Sequence, residues 1–319
     1  MNRRPRLALT LGDPAGIGPE IALAALRDPR VRATLELELI GPDRLRPADV
    51  PLAPAGRREP FCWHATWAPA SWSMGEVQAD CGRSALAALR AGHELALTRE
   101  VDALVTAPVS KEALHLAGER VEGQTELLGR WCGVTRYEML AVAGELRVLL
   151  LTRHLPLRAA IDSITTVRVL DHLHLFHESL VRLGFARPRL ALAGLNPHAG
   201  EHGVLGREDD ELLLPAVEAA CAAGLDVSGP LSPDTVFLQA SRGRFDGVLA
   251  LYHDQAFIPV KLLSDDGGVT VLAGLPYLRV SPVHGTAFDI AGRGVASAEN
   301  LIQALLRAAA WVRERSDSA

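Results

Sequence analysis

Short apolar runs alternate with longer segments of helical periodicity along most of the chain. Within residues 84–99, for example, Leu86, Leu89 and Leu97 recur at spacings that place them on one helix face. Segments with this helical pattern are 84–99, 166–183, 209–223 and 298–315. Runs of buried-strand length are 7–11, 35–40, 103–106, 148–152, 189–193, 247–251 and 270–272. The alternation predicts an α/β fold whose mostly parallel sheet is covered by helices on both faces.

Composition adds limits to the kind of protein this is. The 319 residues, 48% hydrophobic and 22% charged, are typical of a globular enzyme of one large or two closely associated domains. The net charge of -5 and the absence of a basic stripe argue against a nucleic-acid partner. The apolar run at 7–11 is too short for a signal peptide, and no run reaches the roughly 18 residues of a membrane span. We therefore expect a cytoplasmic protein with no membrane partner.

Three histidines each follow a predicted strand and stand in a turn with proline, glycine or an acidic residue nearby. They are His154, His198 and His253. In open parallel sheets, ligands collect at the carboxyl ends of strands. Three imidazoles at one such edge would bind a divalent metal and leave positions open for substrate. Because the chain has 11 histidines, spacing alone leaves open the alternative of three unrelated loop histidines.

The first predicted strand runs directly into a glycine-rich turn, residues 12–20, and then into a helix. Its glycines would let backbone approach a ligand, and the helix N-terminus favours anions. A tight structural turn is an equally good interpretation. The turn is not a Walker A loop, since no Gly-Lys-Ser/Thr follows, and it does not match G-x-G-x-x-G.

Further candidates are weighed against ordinary structural roles. The histidine-rich segment 171–178 is interpreted as a solvated helix side rather than a metal site, because apolar residues occupy its other face. Lys261 and Arg279 flank the predicted strand 270–272 and are candidates for holding an anionic substrate. A second glycine-rich turn, which contains Gly285 and Asp289, suits either a nucleotide or close packing.

Taken together, segments in the same order along nearly the whole chain resemble the 4-hydroxythreonine-4-phosphate dehydrogenase (PdxA) family. They are Gly-Asp-Pro-Ala-Gly-Ile-Gly-Pro-Glu at 12–20, Ala-Pro-Val-Ser-Lys at 107–111, His-Leu-Pro-Leu at 154–157, Leu-Asn-Pro-His-Ala-Gly-Glu at 195–201, Gly-Pro-Leu-Ser-Pro-Asp at 229–234, Tyr-His-Asp-Gln at 252–255 and His-Gly-Thr-Ala at 284–287.

The resemblance implies two α/β/α lobes around a cleft, similar to the isocitrate and isopropylmalate dehydrogenases. The first lobe would be discontinuous, residues 1–122 and 264–319, and the second, 123–263, would carry the histidines and the dimer contacts. It also implies NAD or NADP bound without a Rossmann fingerprint, in agreement with the missing G-x-G-x-x-G. Gly285 and Asp289 are the nucleotide candidates.

The activity implied is oxidation of the C3 hydroxyl of 4-phosphohydroxy-L-threonine, followed by decarboxylation to 3-amino-2-oxopropyl phosphate, in pyridoxal phosphate biosynthesis. The resemblance further implies a homodimer whose subunits share each metal site. His154, His198 and His253 would bind one divalent ion, with zinc, cobalt, nickel and magnesium all open. Substrate contacts map onto Thr125, Lys261 and Arg279. The base that takes the proton is left between Lys111, Asp234 and a metal-bound water.

Two positions depart from the family pattern. Gln124 stands where the family usually has histidine, and Thr270 where it has a substrate-contacting asparagine. Glutamine still forms hydrogen bonds but cannot carry charge, so substrate identity is put in doubt. A catabolic relative that oxidises phosphorylated threonate or erythronate, or a dihydrodiol carboxylate, is therefore an alternative. From another class, three histidines with an open position would also suit a zinc hydrolase that needs no nucleotide.

Overall fold

The computed structural model describes residues 3–53, 59–264 and 268–317. Its strands are β1 (Arg6–Thr10), β2 (Glu36–Pro42), β3 (Phe61–Thr66), β4 (Ala103–Thr106), β5 (Glu138–Ala143), β6 (Leu146–Leu150), β7 (Arg189–Ala193), β8 (Asp226–Leu231), β9 (Gly247–Ala250), β10 (Val269–Ala273) and β11 (Leu278–Pro282). Its α-helices are α1 (Gly18–Arg27), α2 (Pro29–Thr34), α3 (Ala79–Leu97), α4 (Lys111–Leu116), α5 (Gln124–Cys132), α6 (Leu157–Asp162), α7 (Thr166–Arg182), α8 (Leu214–Ala222), α9 (Val236–Ser241), α10 (His253–Leu262) and α11 (Glu299–Asp317).

The chain divides into two compact units. The first comprises Met1–Thr135 with Leu275–Asp317, and the second Arg136–Gly274. The lobe boundaries predicted from the sequence, 1–122 with 264–319 and 123–263, stay a prediction.

The sheet of the first unit has the strand order β3-β2-β1-β4-β11, and its strands are parallel. Every residue of β1 and β4 is buried, and their apolar positions 7–9 and 103–105 form the runs that are visible in the sequence. Helix α3 lies close against this sheet. A Cβ on its Gly92 would lie 2.8 Å from side-chain atoms of Thr10 and Leu104, so a larger residue there would force these buried side chains to shift.

The sheet of the second unit has the order β10-β5-β6-β9-β7-β8. The pairs β10–β5 and β5–β6 are antiparallel, whereas β6, β9, β7 and β8 run parallel. Helix α7 packs on this sheet so closely that a Cβ on Gly247 would lie 2.2 Å from Phe176 Cζ. Because β6, β9 and β7 are parallel neighbours, their carboxyl ends lie at one edge.

The predicted α/β class is confirmed, and each predicted strand and helix is present with ends shifted by a few residues. The segment 209–223 begins as a π-helical turn and continues as α8. The histidine-rich segment lies within helix α7, and its His172, His174 and His177 are half-buried. Among the described residues, no helix combines the length and apolarity needed to cross a membrane.

Candidate functional site

The three histidines singled out from the sequence follow three neighbouring parallel strands. His154 stands in the turn after β6, and His253 is the first residue of α10, directly after β9. His198 lies in a short 3-10 segment after β7. The strand order β6-β9-β7 therefore delivers all three to the same sheet edge of the second unit.

Two of these imidazoles lie side by side. The ring centroids of His154 and His253 are 5.7 Å apart. Nδ1 of His253 lies 2.7 Å from Oδ1 of Asp254, so a carboxylate holds this ring nitrogen and leaves Nε2 for a ligand. Carboxylate-oriented histidines of this kind are common among metal ligands. The ring also packs on Phe257 at a centroid distance of 4.6 Å, which fixes its plane.

His198 lies in the turn after β7. It is exposed and has left-handed backbone angles, φ 53° and ψ 27°. The strand end before it is held by Asp209, whose carboxylate accepts hydrogen bonds from the Leu195 and Asn196 amides at 2.8 and 3.1 Å. Within the described residues of one chain, the ligand atoms of the three histidines do not all come within 4.8 Å of one another. One chain thus places the rings of His154 and His253 side by side but does not bring the ligand atoms of all three histidines to one point.

In the first unit, Arg279 on β11 supplies a buried positive charge. Its residue is 5% exposed, and its Nη2 donates to Thr106 Oγ1 at 2.7 Å. Burial lowers the pKa of this guanidinium to about 10, so it stays charged at neutral pH. Nε of Arg279 has no hydrogen-bond partner among the described residues. A buried cation with an unused N–H suits an anionic ligand.

The N-terminus of α5 lies at the carboxyl end of β4, the strand whose last residue is Thr106. Gln124 Nε2 donates to the Ala107 carbonyl at 3.1 Å, whereas its Oε1 is buried with no partner in the described part of the chain. The N-cap, Gly123, offers no side-chain cap, which leaves first-turn N–H groups of Gln124 and Thr125 for a ligand. A Cβ on Gly123 would lie 3.8 Å from Lys111 Cε. The arrangement can bind an anion such as a phosphate.

The glycine-rich turn at 12–20 packs against two other loops. Gly12 has φ +73°, and a Cβ there would lie 2.1 Å from the Pro108 carbonyl oxygen. The Ile17 amide donates to the Thr286 carbonyl at 3.0 Å. Glu20 accepts hydrogen bonds from the backbone amides of Gly292 and Gly294. The nucleotide-candidate loop around exposed Gly285 and Asp289 is therefore tied to α1.

Asp13 is a buried acid in this turn that sequence reasoning did not single out. It is 0% exposed, and its Oδ1 accepts from the Ala15 amide at 2.9 Å. Its Oδ2 has no partner among the described residues, and burial raises the pKa of the carboxyl to about 6. The available signal was an acidic residue inside a glycine-rich turn directly after a buried strand.

Asp13→Asn is expected to stabilise the protein at pH 7.5 by about 1–2 kcal/mol and to give no gain at pH 4. Because the folded-state pKa is raised to about 6, the folded state binds more protons than the unfolded state between the two pKa values. Wild-type stability from this group therefore falls as pH rises through that window, and asparagine does not titrate. Urea unfolding of both proteins at the two pH values checks this. An equal stability difference at both pH values would contradict it.

The other residues expected to bind substrate or move protons lie in the second unit. Lys261 is exposed near the end of α10, and Thr270 is buried within β10. Asp234 is exposed and accepts a hydrogen bond from Ser232 Oγ at 2.6 Å. Their roles stay predictions.

Comparison with known proteins places this geometry in a family. The family model described as pyridoxal phosphate biosynthetic protein PdxA matches residues 35–308. The D-threonate 4-phosphate dehydrogenase of Salmonella typhimurium is 42% identical over 92% of this chain and 95% of that protein. The 4-hydroxythreonine-4-phosphate dehydrogenase of Geobacter metallireducens is 40% identical over 98% and 97% of the two chains.

A solved structure agrees with these sequence matches. The crystal structure of 4-hydroxythreonine-4-phosphate dehydrogenase from Klebsiella pneumoniae superposes with a TM-score of 0.87 at 38% identity, covering 97% of this chain and 99% of that one. Sequence and structure are thus similar to the same group over nearly their full lengths. This chain belongs to the PdxA family.

Proposed function

We propose that the chain is a metal-dependent, NAD- or NADP-linked dehydrogenase that oxidises the C3 hydroxyl of 4-phosphohydroxy-L-threonine. Loss of carbon dioxide from the product would yield 3-amino-2-oxopropyl phosphate. The observation that supports this most directly is the delivery of His154, His198 and His253 to one sheet edge by three adjacent parallel strands. The family membership and the names of its relatives supply the reaction class.

The donor set at this edge fits a divalent ion. The paired rings of His154 and His253 and the Asp254 carboxylate behind His253 form the kind of imidazole set that zinc, cobalt or nickel prefers. A bound ion would polarise the substrate hydroxyl, and a nicotinamide nucleotide would accept the hydride.

The chain's own groups would hold the substrate. Arg279, Lys111 and the N-terminus of α5 present positive charge and free N–H groups to a phosphate. The Gln124 amide must turn Nε2 toward the Ala107 carbonyl, because two oxygens would otherwise face each other. Its Oε1 would then accept a hydrogen bond from a substrate hydroxyl or ammonium group. Lys111 and Asp234 stay candidates for proton transfer.

A substrate panel tests the proposal. Reduction of NAD and NADP is followed with 4-phosphohydroxy-L-threonine, D-threonate 4-phosphate, D-erythronate 4-phosphate and a cis-dihydrodiol carboxylate, after chelation and after readdition of single divalent metals. We expect metal-dependent nucleotide reduction, fastest with the first substrate. Failure to reduce either nucleotide with every substrate would overturn the proposal. Nucleotide-independent hydrolysis of a phosphate ester would indicate the zinc hydrolase instead.

D-threonate 4-phosphate is a second candidate substrate, for a specific reason. Relatives named for that activity are 35–43% identical to this chain, a range that includes the 40% and 42% of relatives named for the amino acid substrate. Gln124 is also a neutral group where the family usually has a histidine. A higher kcat/KM with D-threonate 4-phosphate in the same panel would select this alternative.

Gln124→Ala is expected to raise KM for the phosphorylated substrate about tenfold to a hundredfold, because it removes the Oε1 acceptor and the contact to Ala107. Gln124→His should be tolerated, since imidazole again offers a hydrogen-bonding nitrogen. Steady-state kinetics of both variants provide the measurement. An unchanged kcat/KM in Gln124→Ala would leave this position without a substrate role.

Because the ligand atoms of the three histidines do not all converge within the described residues of one chain, we propose that two copies of the chain complete each metal site. We expect that mixing inactive His198→Ala and His253→Ala chains restores turnover, because one site of the heterodimer would then have its full histidine set. Activity is measured after subunit exchange, with each variant alone as the control. A mixture of His154→Ala with His253→Ala should not recover, since these two rings lie together in one chain. Proven heterodimers of the first pair without activity would contradict sharing.

A further inference from the structure

A polar cluster lies at the edge of the first unit's sheet and shares no residue with the sites above. We call it the edge cluster: Arg6 on β1, Glu36 and Glu38 on β2, and Cys62 and His64 on β3. Cys62 and His64 are two residues apart on one strand, so their side chains point to the same face. Register places Glu38 directly opposite Cys62. Strand geometry alone thus brings a carboxylate, a thiol and an imidazole together.

The three side chains converge on one point. Cys62 Sγ lies 2.6 Å from Glu38 Oε2, and His64 Nε2 hydrogen-bonds the same oxygen. Their ligand atoms all lie within 4.8 Å of one another, and no other such group occurs among the described residues. Glu38 and Cys62 are buried, whereas the His64 side chain is 28% exposed. The point where the three side chains meet is therefore buried at Glu38 and Cys62 and accessible to solvent at His64.

We propose that Glu38, Cys62 and His64 bind a divalent cation of the zinc class. Thiolate sulfur, imidazole nitrogen and carboxylate oxygen are the donors that zinc takes in proteins, most often in a tetrahedral set. Three of the four positions would come from this chain, and the exposed side of His64 would admit a water as the fourth ligand. The ion would link β2 to β3, the edge strand.

The charges of the cluster favour such an ion. Arg6 donates to Glu38 and, at 3.0 Å, to Glu36, so a single guanidinium faces two carboxylates. With a neutral thiol and imidazole the cluster keeps one net negative charge. A divalent cation bound with loss of the Cys62 proton makes the cluster neutral, which is the arrangement that burial tolerates best.

The geometry requires only a small adjustment. Zinc–sulfur and zinc–oxygen bonds in a tetrahedral set place the two ligand atoms about 3.6 Å apart. The present separation of 2.6 Å between Cys62 Sγ and Glu38 Oε2 must therefore open by about 1 Å. Because Glu38 and Cys62 are both buried, their side chains must shift within the cluster. The competing interpretation is an ion-pair cluster in which Arg6 alone balances the carboxylates.

Cobalt(II) titration of the full chain tests the proposal, because a cobalt–thiolate bond absorbs in the near ultraviolet and the three-histidine edge offers no thiolate. We expect this absorption in the wild type once enough cobalt has been added to fill both the histidine edge and the edge cluster, and we expect added zinc to displace it. It should be lost in Cys62→Ser and kept in Cys132→Ser, the matched control at a half-buried thiol that lies 4.0 Å from His93. Glu38→Gln and His64→Gln should weaken cobalt binding by at least about tenfold.

Circular dichroism confirms that each variant is folded. If Cys62→Ser does not fold, His64→Gln replaces it in the test, because His64 is the most exposed of the three residues. Absence of the absorption in folded wild type would overturn the proposal, as would its persistence in folded Cys62→Ser. Either result would identify the edge cluster as an ion-pair network. The outcome is independent of dehydrogenase activity, since no edge-cluster residue belongs to the proposed substrate or histidine site.

Discussion

Replacing His253 with alanine should remove the divalent metal of the histidine edge and lower kcat/KM by at least about a thousandfold, since a catalytic metal contributes several kcal/mol of transition-state stabilisation. His253 is the ring whose Nδ1 is held by Asp254, which leaves Nε2 available, and it lies beside His154. Truncation removes a ligand together with the contact that orients the pair. Metal content by mass spectrometry and steady-state kinetics, measured on the same sample, check the expectation.

His174→Ala is the matched control for this variant. His174 lies on α7, in the histidine-rich segment that the sequence offered as an alternative metal site. Its loss should leave metal content and kcat/KM within about twofold of wild type, because the half-buried His174 ring lies on α7 and not at the strand ends. If His253→Ala kept a full complement of metal and its turnover, or if His174→Ala lost both, the assignment of the metal to the strand ends would be wrong.

Arg279→Met should lower kcat/KM for the phosphorylated substrate by about a hundredfold to a thousandfold, mostly through KM. Losing one partner of a desolvated charge pair costs about 2–5 kcal/mol in binding. Arg279 is buried, carries its charge at neutral pH and keeps its Nε free of protein partners among the described residues. Methionine fills similar volume, and replacing a buried charge by an apolar side chain need not destabilise the fold.

Two comparisons separate phosphate binding from a structural role. The defect of Arg279→Met should shrink to less than about tenfold with the unphosphorylated analogue, because that substrate never used the charge. Thr106→Val removes only the hydrogen bond to Arg279 Nη2 and should cost about tenfold or less. Equal losses with both substrates, or an unchanged KM in Arg279→Met, would remove Arg279 from the phosphate site.

Local sequence patterns predicted the elements whose residues are buried on both faces. Strands β1, β4 and β9 are buried throughout and consist mainly of apolar residues, so their runs stand out from their surroundings. Strands β3 and β8 were missed because they carry polar residues, and β8 also contains glycine and proline, which are usual in turns. Strands β5 and β11 were missed as well, although they are at least as long as β1; β11 carries arginine, serine and proline among its five residues. These strands form because they pair with neighbouring strands, and those partners lie outside any short stretch of sequence.

The sequence by itself determined the α/β class, the family and the placement of three histidines after strands, because each depends on short-range pattern or ordered motifs. Tertiary structure alone decided that β6, β9 and β7 are neighbours and that one chain pairs His154 with His253. It also decided which polar atoms are buried without a hydrogen-bond partner among the described residues, as at Asp13 Oδ2 and Arg279 Nε. Strand order and register are set by contacts between residues far apart in the chain. For that reason the partners of Arg279 and the meeting of Glu38, Cys62 and His64 could be seen only in the folded protein.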